Sequence, residues 1–114
     1  MALKVASREL DGVTILDLSG RITLGEGCVQ MRDAILGSVG NGNKNIVLNM
    51  GDVSYIDSSG VGELVGVFSA AKRLGAKLRL LKLTKKVRDV LEMTKLYPLF
   101  DVYDDETLAF ESFK

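Results

Sequence analysis

Residues 46–66 read Ile46-Val47-Leu48-Asn49-Met50-Gly51-Asp52-Val53-Ser54-Tyr55-Ile56-Asp57-Ser58-Ser59-Gly60-Val61-Gly62-Glu63-Leu64-Val65-Gly66. A change of period inside this stretch decides the fold. Ile46 to Met50 are apolar on both sides of an extended chain apart from Asn49, the pattern of a strand covered on both faces. From Ser58 onward the apolar spacing becomes three and four, through Val61, Leu64, Val65, Phe68, Ala71 and Leu74, which predicts an amphipathic helix over 58–74. Lys72 and Arg73 put cations in its last turn, and Gly75 is free to take a left-handed cap. Gly51 to Asp57 read as a polar turn with an apolar anchor between the strand and the helix.

Working outward, two β-type runs over 3–10 and 13–18 flank Asp11-Gly12, a strong two-residue hairpin signal. Ser19-Gly20 is expected to break the second strand, and residues 21–24 lead into Gly25-Glu26-Gly27. A helical stripe over 28–39 ends at Gly40-Asn41-Gly42-Asn43. Downstream, Lys77-Leu78-Arg79-Leu80 alternates as a strand with one wet face. Residues 85–93 predict a short helix whose continuation Pro98 blocks. A last strand over 100–103 and an acid-headed helix over 104–113 complete the order β-β-α-β-α-β-α-β-α. Strands alternating with helices imply right-handed crossovers. The expected fold is therefore one α/β domain spanning 1–114, a mixed sheet whose N-terminal hairpin supplies the antiparallel edge, with helices mainly on one side. Leu108, Phe110 and Phe113 either pack on the sheet or meet another subunit.

Composition narrows the chemistry. For 12.4 kDa, surface scaling gives roughly 6,100 Å² exposed when folded, against about 18,000 Å² extended, enough burial for a core without staples. The chain has no His and a single cysteine, Cys28. Histidine triads, imidazole acid–base catalysis and an internal disulfide are thereby excluded. Cys28 has no base beside it in sequence and reads as an idle thiol. Residues 1–8 contain no apolar stretch of signal-peptide length, and no run approaches the ~18 apolar residues of a membrane helix, so a cytoplasmic protein without membrane insertion is expected. Net charge is zero but uneven: residues 72–100 hold nine basic and two acidic side chains, and residues 101–114 one basic and five acidic. The acidic tail and the lack of interleaved aromatics make the basic segment a solvated face rather than a nucleic-acid groove.

Chemistry concentrates at 54–62. A helix N-terminus after a buried strand presents backbone N–H groups and a positive dipole end to an anion, either a ligand phosphate or one carried covalently on Ser58 or Ser59. Plain capping by Asp or Ser explains the same residues. Gly60, Gly62 and Gly66 fall in a G-x-G-x-x-x-G spacing, one residue too long for a dinucleotide fingerprint, and the ribose-binding acid is missing from 80–83. Gly62 and Gly66 are instead expected to let the helix pack close to the sheet. No base accompanies Asp57 and Ser58 for hydrolysis. No catalytic residue, metal ligand or cofactor is assigned.

The stretch Ile46-Val47-Leu48-Asn49-Met50 followed by Val53 through Gly62 resembles the core signature of the STAS-domain anti-sigma-factor antagonists. The resemblance extends to Leu18-Ser19-Gly20-Arg21-Ile22, Lys72-Arg73-Leu74-Gly75-Ala76, Val87-Arg88-Asp89-Val90-Leu91 and 96–100. It implies a bacterial partner-switching protein without enzyme activity. The unphosphorylated form would bind an anti-sigma factor, itself a serine kinase, and so free the sigma factor. Kinase phosphorylation of Ser58 would end that binding, and a PP2C-type phosphatase would restore it. Asp57 and Ser59 would flank the modified residue, with Gly60, Val61, Gly62, Thr23 and Glu26 completing the partner surface. The family often carries an aspartate three residues after the hairpin's glycine, where this chain has Thr23. Two other readings keep Ser58 unmodified: a STAS-fold scaffold in a signalling complex, and a nucleotide-binding domain using Gly60 and Gly62.

Overall fold

The computed structural model describes residues 3–114; Met1 and Ala2, part of the expected 1–114 unit, lie outside the described residues. The chain runs β1 (Leu3–Leu10), β2 (Val13–Ile22), α1 (Glu26–Gly40), β3 (Asn45–Ile56), α2 (Ser58–Arg73), β4 (Lys77–Leu81), α3 (Lys85–Met93), β5 (Val102–Tyr103) and α4 (Glu106–Glu111), with a 3-10 turn at Tyr97–Leu99. One sheet holds the strands in the order β1-β2-β3-β4-β5. The β1–β2 hairpin is antiparallel and the other pairs are parallel, the mixed sheet expected from the alternation of strands and helices. At the hairpin, Asp11 (φ 48°) and Gly12 (φ 81°) both take the positive φ that a tight two-residue turn demands.

Strand parity sorts the core. Leu16, Leu18, Ile46, Leu48, Met50, Leu78 and Leu80 face α1, α2 and α3, meeting Met31, Ile35, Leu64, Val67, Val87 and Leu91. Val13, Ile15, Val47 and Leu81 face the other way and are covered by Ala109 of α4, with Phe110 and Phe113 beside it. Three helices on one face and one short helix on the other explain why β3 is apolar on both sides. Phe110 and Phe113 thus pack on the sheet, whereas Leu108 points outward, 60% exposed. Arg79, read as wet, is mostly covered by the residues just past α4, its side chain 16% exposed. Its guanidinium lies 4.9 Å from the Phe113 ring centre and donates to Ser112 Oγ at 3.1 Å and Asp101 at 3.2 Å.

Two boundaries differ from the sequence reading by more than two residues; the last strand and last helix are shorter than expected, at 102–103 and 106–111 against 100–103 and 104–113. Ser19-Gly20 does not end β2, and the polar residues 51–56 belong to β3. The β2–β3 ladder continues to Ile22↔Ile56 across register shifts at Asp17/Ser19 and Gly20/Arg21, with Gly20 at φ 117° absorbing the irregularity. Pairing of β3 with β4 stops at Asn49↔Leu81. Beyond that point β3 has β2 as its one neighbour, β1 following β2 as far as Leu3↔Gly20, and this extension of the sheet has less cover, which is why its residues lose the apolar pattern. Helix α3 also stops before Pro98 acts: Lys95 adopts φ 61° just past its end. In the basic segment, Arg79, Lys85 and Arg88 pair with Asp101, Asp89 and Asp104.

Candidate functional site

The extension delivers the end of β2 and the end of β3 to the heads of α1 and α2. Asp57 is the N-cap of α2, in extended conformation (φ −98°, ψ −178°). One carboxylate oxygen accepts from the Gly60 N–H at 2.7 Å, the usual capping bond. The other accepts from the Leu24 N–H at 3.0 Å, in the β2–α1 loop. A single side chain therefore caps one helix and fastens the loop that enters the other. The Gly60 N–H first, then the Leu24 N–H, hold the Asp57 carboxyl below its ordinary value of 3.8, against the opposing effect of burial.

Because Asp57 takes the cap, the two serines are released from it. Ser58 is the first residue of α2 and is exposed; Ser59 is half-buried. Sequence alone leaves the cap open between Asp and Ser, and the geometry settles it on Asp57.

Gly60 is buried for a specific reason. A Cβ there would lie 2.2 Å from the Ile22 carbonyl oxygen and 2.7 Å from Ile56 Cγ1. The close helix–sheet approach expected of Gly62 and Gly66 thus belongs to Gly60. Those two glycines are exposed, and a Cβ at either would meet nothing within 4 Å. Two of the residues expected at the partner surface are buried. Val61 is 3% exposed and points into the core, and Gly60 is sealed beneath the turn, so both support the surface from below. Thr23 is half-buried, its carbonyl accepting from the Cys28 N–H at 3.2 Å. Glu26 is exposed in the first turn of α1 and accepts from the Gln30 amide at 3.3 Å. The surface at this end consequently comprises Ser58, Gly62, Glu26 and parts of Asp57, Ser59 and Thr23.

Leu24, in the 23–27 loop that the resemblance places at the border of the partner surface, is 78% exposed beside this turn; what the sequence does not show is that its N–H is bound to Asp57. A lone leucine between Thr23 and Gly25 carries no period that would mark it as either core or surface. Cys28 is buried and its thiol pKa is pushed up, by burial first and then by Asp57 and Glu63, so it stays protonated near neutral pH. The Gly60 N–H, already committed to Asp57, does not form part of an open phosphate cradle of the dinucleotide kind. Among the described residues no group of three or more His, Cys, Asp or Glu side chains could hold a metal ion, and no helix is long and apolar enough to cross a membrane.

A β1-β2-β3-β4-β5 sheet with crossover helices on one face and an Asp-capped, serine-bearing helix head defines a STAS-type architecture, and the STAS domain family model matches residues 4–109. The chain belongs to the STAS domain family. It is 28% identical over 112 residues to the anti-sigma F factor antagonist of Paenibacillus polymyxa, covering 96% of this chain and 93% of the relative. BtrV of Bordetella bronchiseptica is 26% identical over 112 residues, covering 98% of this chain and 96% of the relative. A solved Thermotoga maritima structure superimposes with a TM-score of 0.85 at 25% identity, covering 95% of this chain and 92% of that one.

Proposed function

We propose that this chain is an anti-sigma factor antagonist that binds its anti-sigma factor when unphosphorylated and is switched off by phosphorylation of Ser58. The observation that carries the reading is the separation of duties at the head of α2: Asp57 performs the cap, leaving an exposed hydroxyl at Ser58 one residue along. The antagonist part of the reading is supported by the relative from Paenibacillus polymyxa, which is named an anti-sigma F factor antagonist.

The physics of the switch follows from position. A phosphoserine carries roughly −1.5 to −2 charges at pH 7. At the first position of a helix those charges meet the positive end of the dipole, so the fold tolerates them. At a partner's surface they face desolvation and the neighbouring Asp57 carboxylate. Like-charge juxtaposition costs several kcal/mol, and every ~1.4 kcal/mol is tenfold in affinity, so a loss of about a hundredfold or more is reasonable. In this scheme the anti-sigma factor is the serine kinase, a PP2C-type phosphatase resets Ser58, and the chain itself is cytoplasmic and catalyses nothing. Ser59, Gly62, Thr23 and Glu26 border the contact.

Wild type, Ser58→Ala and Ser58→Asp serve as baits in source-cell lysate, with mass spectrometry of the partners and of the wild-type bait. The expected result is a kinase-like anti-sigma factor on wild type and Ser58→Ala, its loss from Ser58→Asp, and phosphate on wild-type Ser58. Identical partners on all three baits with Ser58 never modified would overturn the switch and leave a scaffold whose serine is idle.

A further inference from the structure

A second charged feature lies on the extension, at Tyr55. The guanidinium of Arg21 sits 4.9 Å from the ring centre of Tyr55 and the ammonium of Lys86 sits 5.3 Å from it. Three separate elements build this arrangement. Arg21 is the cross-strand neighbour of Tyr55 in the β2–β3 ladder, and Lys86 belongs to the first turn of α3. The start of α3 is fixed to β3 because Thr84 Oγ1 donates to the Val53 carbonyl at 3.0 Å. Among the described residues neither Arg21 nor Lys86 has a carboxylate within 4.0 Å, whereas Lys85 next door is bound to Asp89 at 2.7 Å.

Two like charges are thus held at one ring, and Lys86 is also at the disfavoured end of a helix, where the dipole repels cations. The first turn of α3 contains no acidic residue to offset it. The ring quadrupole attracts each cation, but weakly at an exposed site. An anion approaching the ring edge would be attracted by both cations at once and would relieve their mutual repulsion.

We infer that Arg21, Tyr55 and Lys86 form a docking patch for an acidic segment of a partner protein. Charge complementarity selects an anion, and two further features select a peptide. Two cations fall well short of the roughly six to ten phosphate contacts on which nucleic-acid binding rests. The patch also falls short of the four to eight cations that typify anionic-membrane recognition. The inference goes beyond the Ser58 switch and does not depend on it, since the patch is assembled whether or not that serine is modified.

The test uses the full chain, labelled with 15N, titrated with a hexaglutamate peptide at low salt and again at about 0.15 M salt. A uridine oligonucleotide and phosphatidylserine vesicles form the comparison arms. Amide shifts at Arg21, Tyr55 and Lys86 are expected with hexaglutamate, weakening at the higher salt. The Arg21→Gln/Lys86→Gln pair should reduce affinity about tenfold, the worth of two exposed ion pairs, while its melting temperature stays near wild type. No binding, shifts centred instead on Lys72 and Lys77, or unchanged affinity in the double variant would each overturn the inference. Tighter binding of the oligonucleotide or the vesicles at these same residues would overturn the assignment to a protein partner.

Discussion

Replacing Gly60 by alanine tests the packing at the head of α2 most directly. The added Cβ would meet the Ile22 carbonyl oxygen at 2.2 Å, Ile56 Cγ1 at 2.7 Å and Ile22 Cγ2 at 3.0 Å. Ordinary contact needs more than 3 Å, so a backbone group has to retreat by about 1 Å, and overpacking of this kind costs about 1–3 kcal/mol. The obstacle is main chain rather than a flexible side chain, which places the cost near the top of that range. Alanine's better helix propensity returns at most ~1 kcal/mol. The net loss is then about 2 kcal/mol, a large share of the ~5–15 kcal/mol typical of a small domain. In urea, with a slope of ~1–3 kcal/mol per molar, the midpoint should fall by about 1 M, and the melting temperature by about 10 °C. Gly62→Ala and Gly66→Ala are the controls: both sites are helical and open, so each should hold or raise stability, by up to ~1 kcal/mol. A Gly60→Ala chain as stable as the Gly62→Ala chain would refute the argument that the helix head is pressed onto β2.

Asp57→Ala should lose the cap and the tie to Leu24, costing about 1–2 kcal/mol in urea unfolding; a change under a few tenths would show that the loop is held by other contacts. The folded-state pKa of Asp57 lies below its ordinary value of 3.8, so the unfolded chain binds the proton more readily. Its contribution is full above that ordinary value and disappears as pH falls through the lower folded pKa. Urea midpoints from pH 5 downward should accordingly drop less steeply for Asp57→Asn than for wild type, and parallel curves would contradict this. Cys28, buried with a raised thiol pKa, should react with a thiol reagent many times more slowly in the native chain than in urea; rapid native labelling would place it at the surface. Ala109→Asp sets a carboxylate against Val13, Ile15, Val47 and Leu81, and should destabilise by about 3 kcal/mol or more, read as loss of the folded circular-dichroism signal at lower temperature. An unaltered melt would mean that α4 does not seal that face.

What sequence reveals here follows from how completely each segment is covered. The strands and helices whose periods are clear, such as 46–50 and 58–74, are those packed against a neighbour, because burial enforces the period; the edge strand 3–10 is mostly exposed and is legible instead from the Asp11-Gly12 turn that follows it. The extension reads as a turn because half its residues answer to no core. Ser19, Asp52 and Ser54 are exposed, while Ile22, Val53 and Ile56 point inward. The helix-head motif is visible as residue types, but the roles within it are not. Asp, Ser and Gly are all good near a cap, and only coordinates reveal that Asp57 reaches sideways to Leu24 or that the crowded glycine is Gly60 rather than Gly62. A spacing of four between glycines suggests close packing, yet on this helix it falls on the side turned to solvent. Cross-strand neighbours such as Arg21 and Tyr55 lie far apart along the chain, and nothing local in either segment announces the other.

The geometry also explains why a charge added at Ser58 could be read by a partner without being felt by the fold. Both oxygens of Asp57 are already engaged, one by Gly60 and one by Leu24, so its charge is fixed against the protein and has little freedom to swing away from a new dianion. Ser58 sits one residue further on, exposed, with Gly60 and Val61 sealed beneath it. Repulsion between a phosphate and Asp57 therefore acts at the surface, where water relieves it in the free chain. Burial against a partner removes that water and strengthens every uncompensated charge. On the proposed switch, the same modification would then be nearly neutral for the isolated domain and severe for the complex. That asymmetry leads to a definite expectation for Ser58→Asp: a melting temperature within a few degrees of wild type alongside lost partner binding. Loss of both together would instead locate the effect in the fold, and the switch would have to be explained by local unfolding of α2.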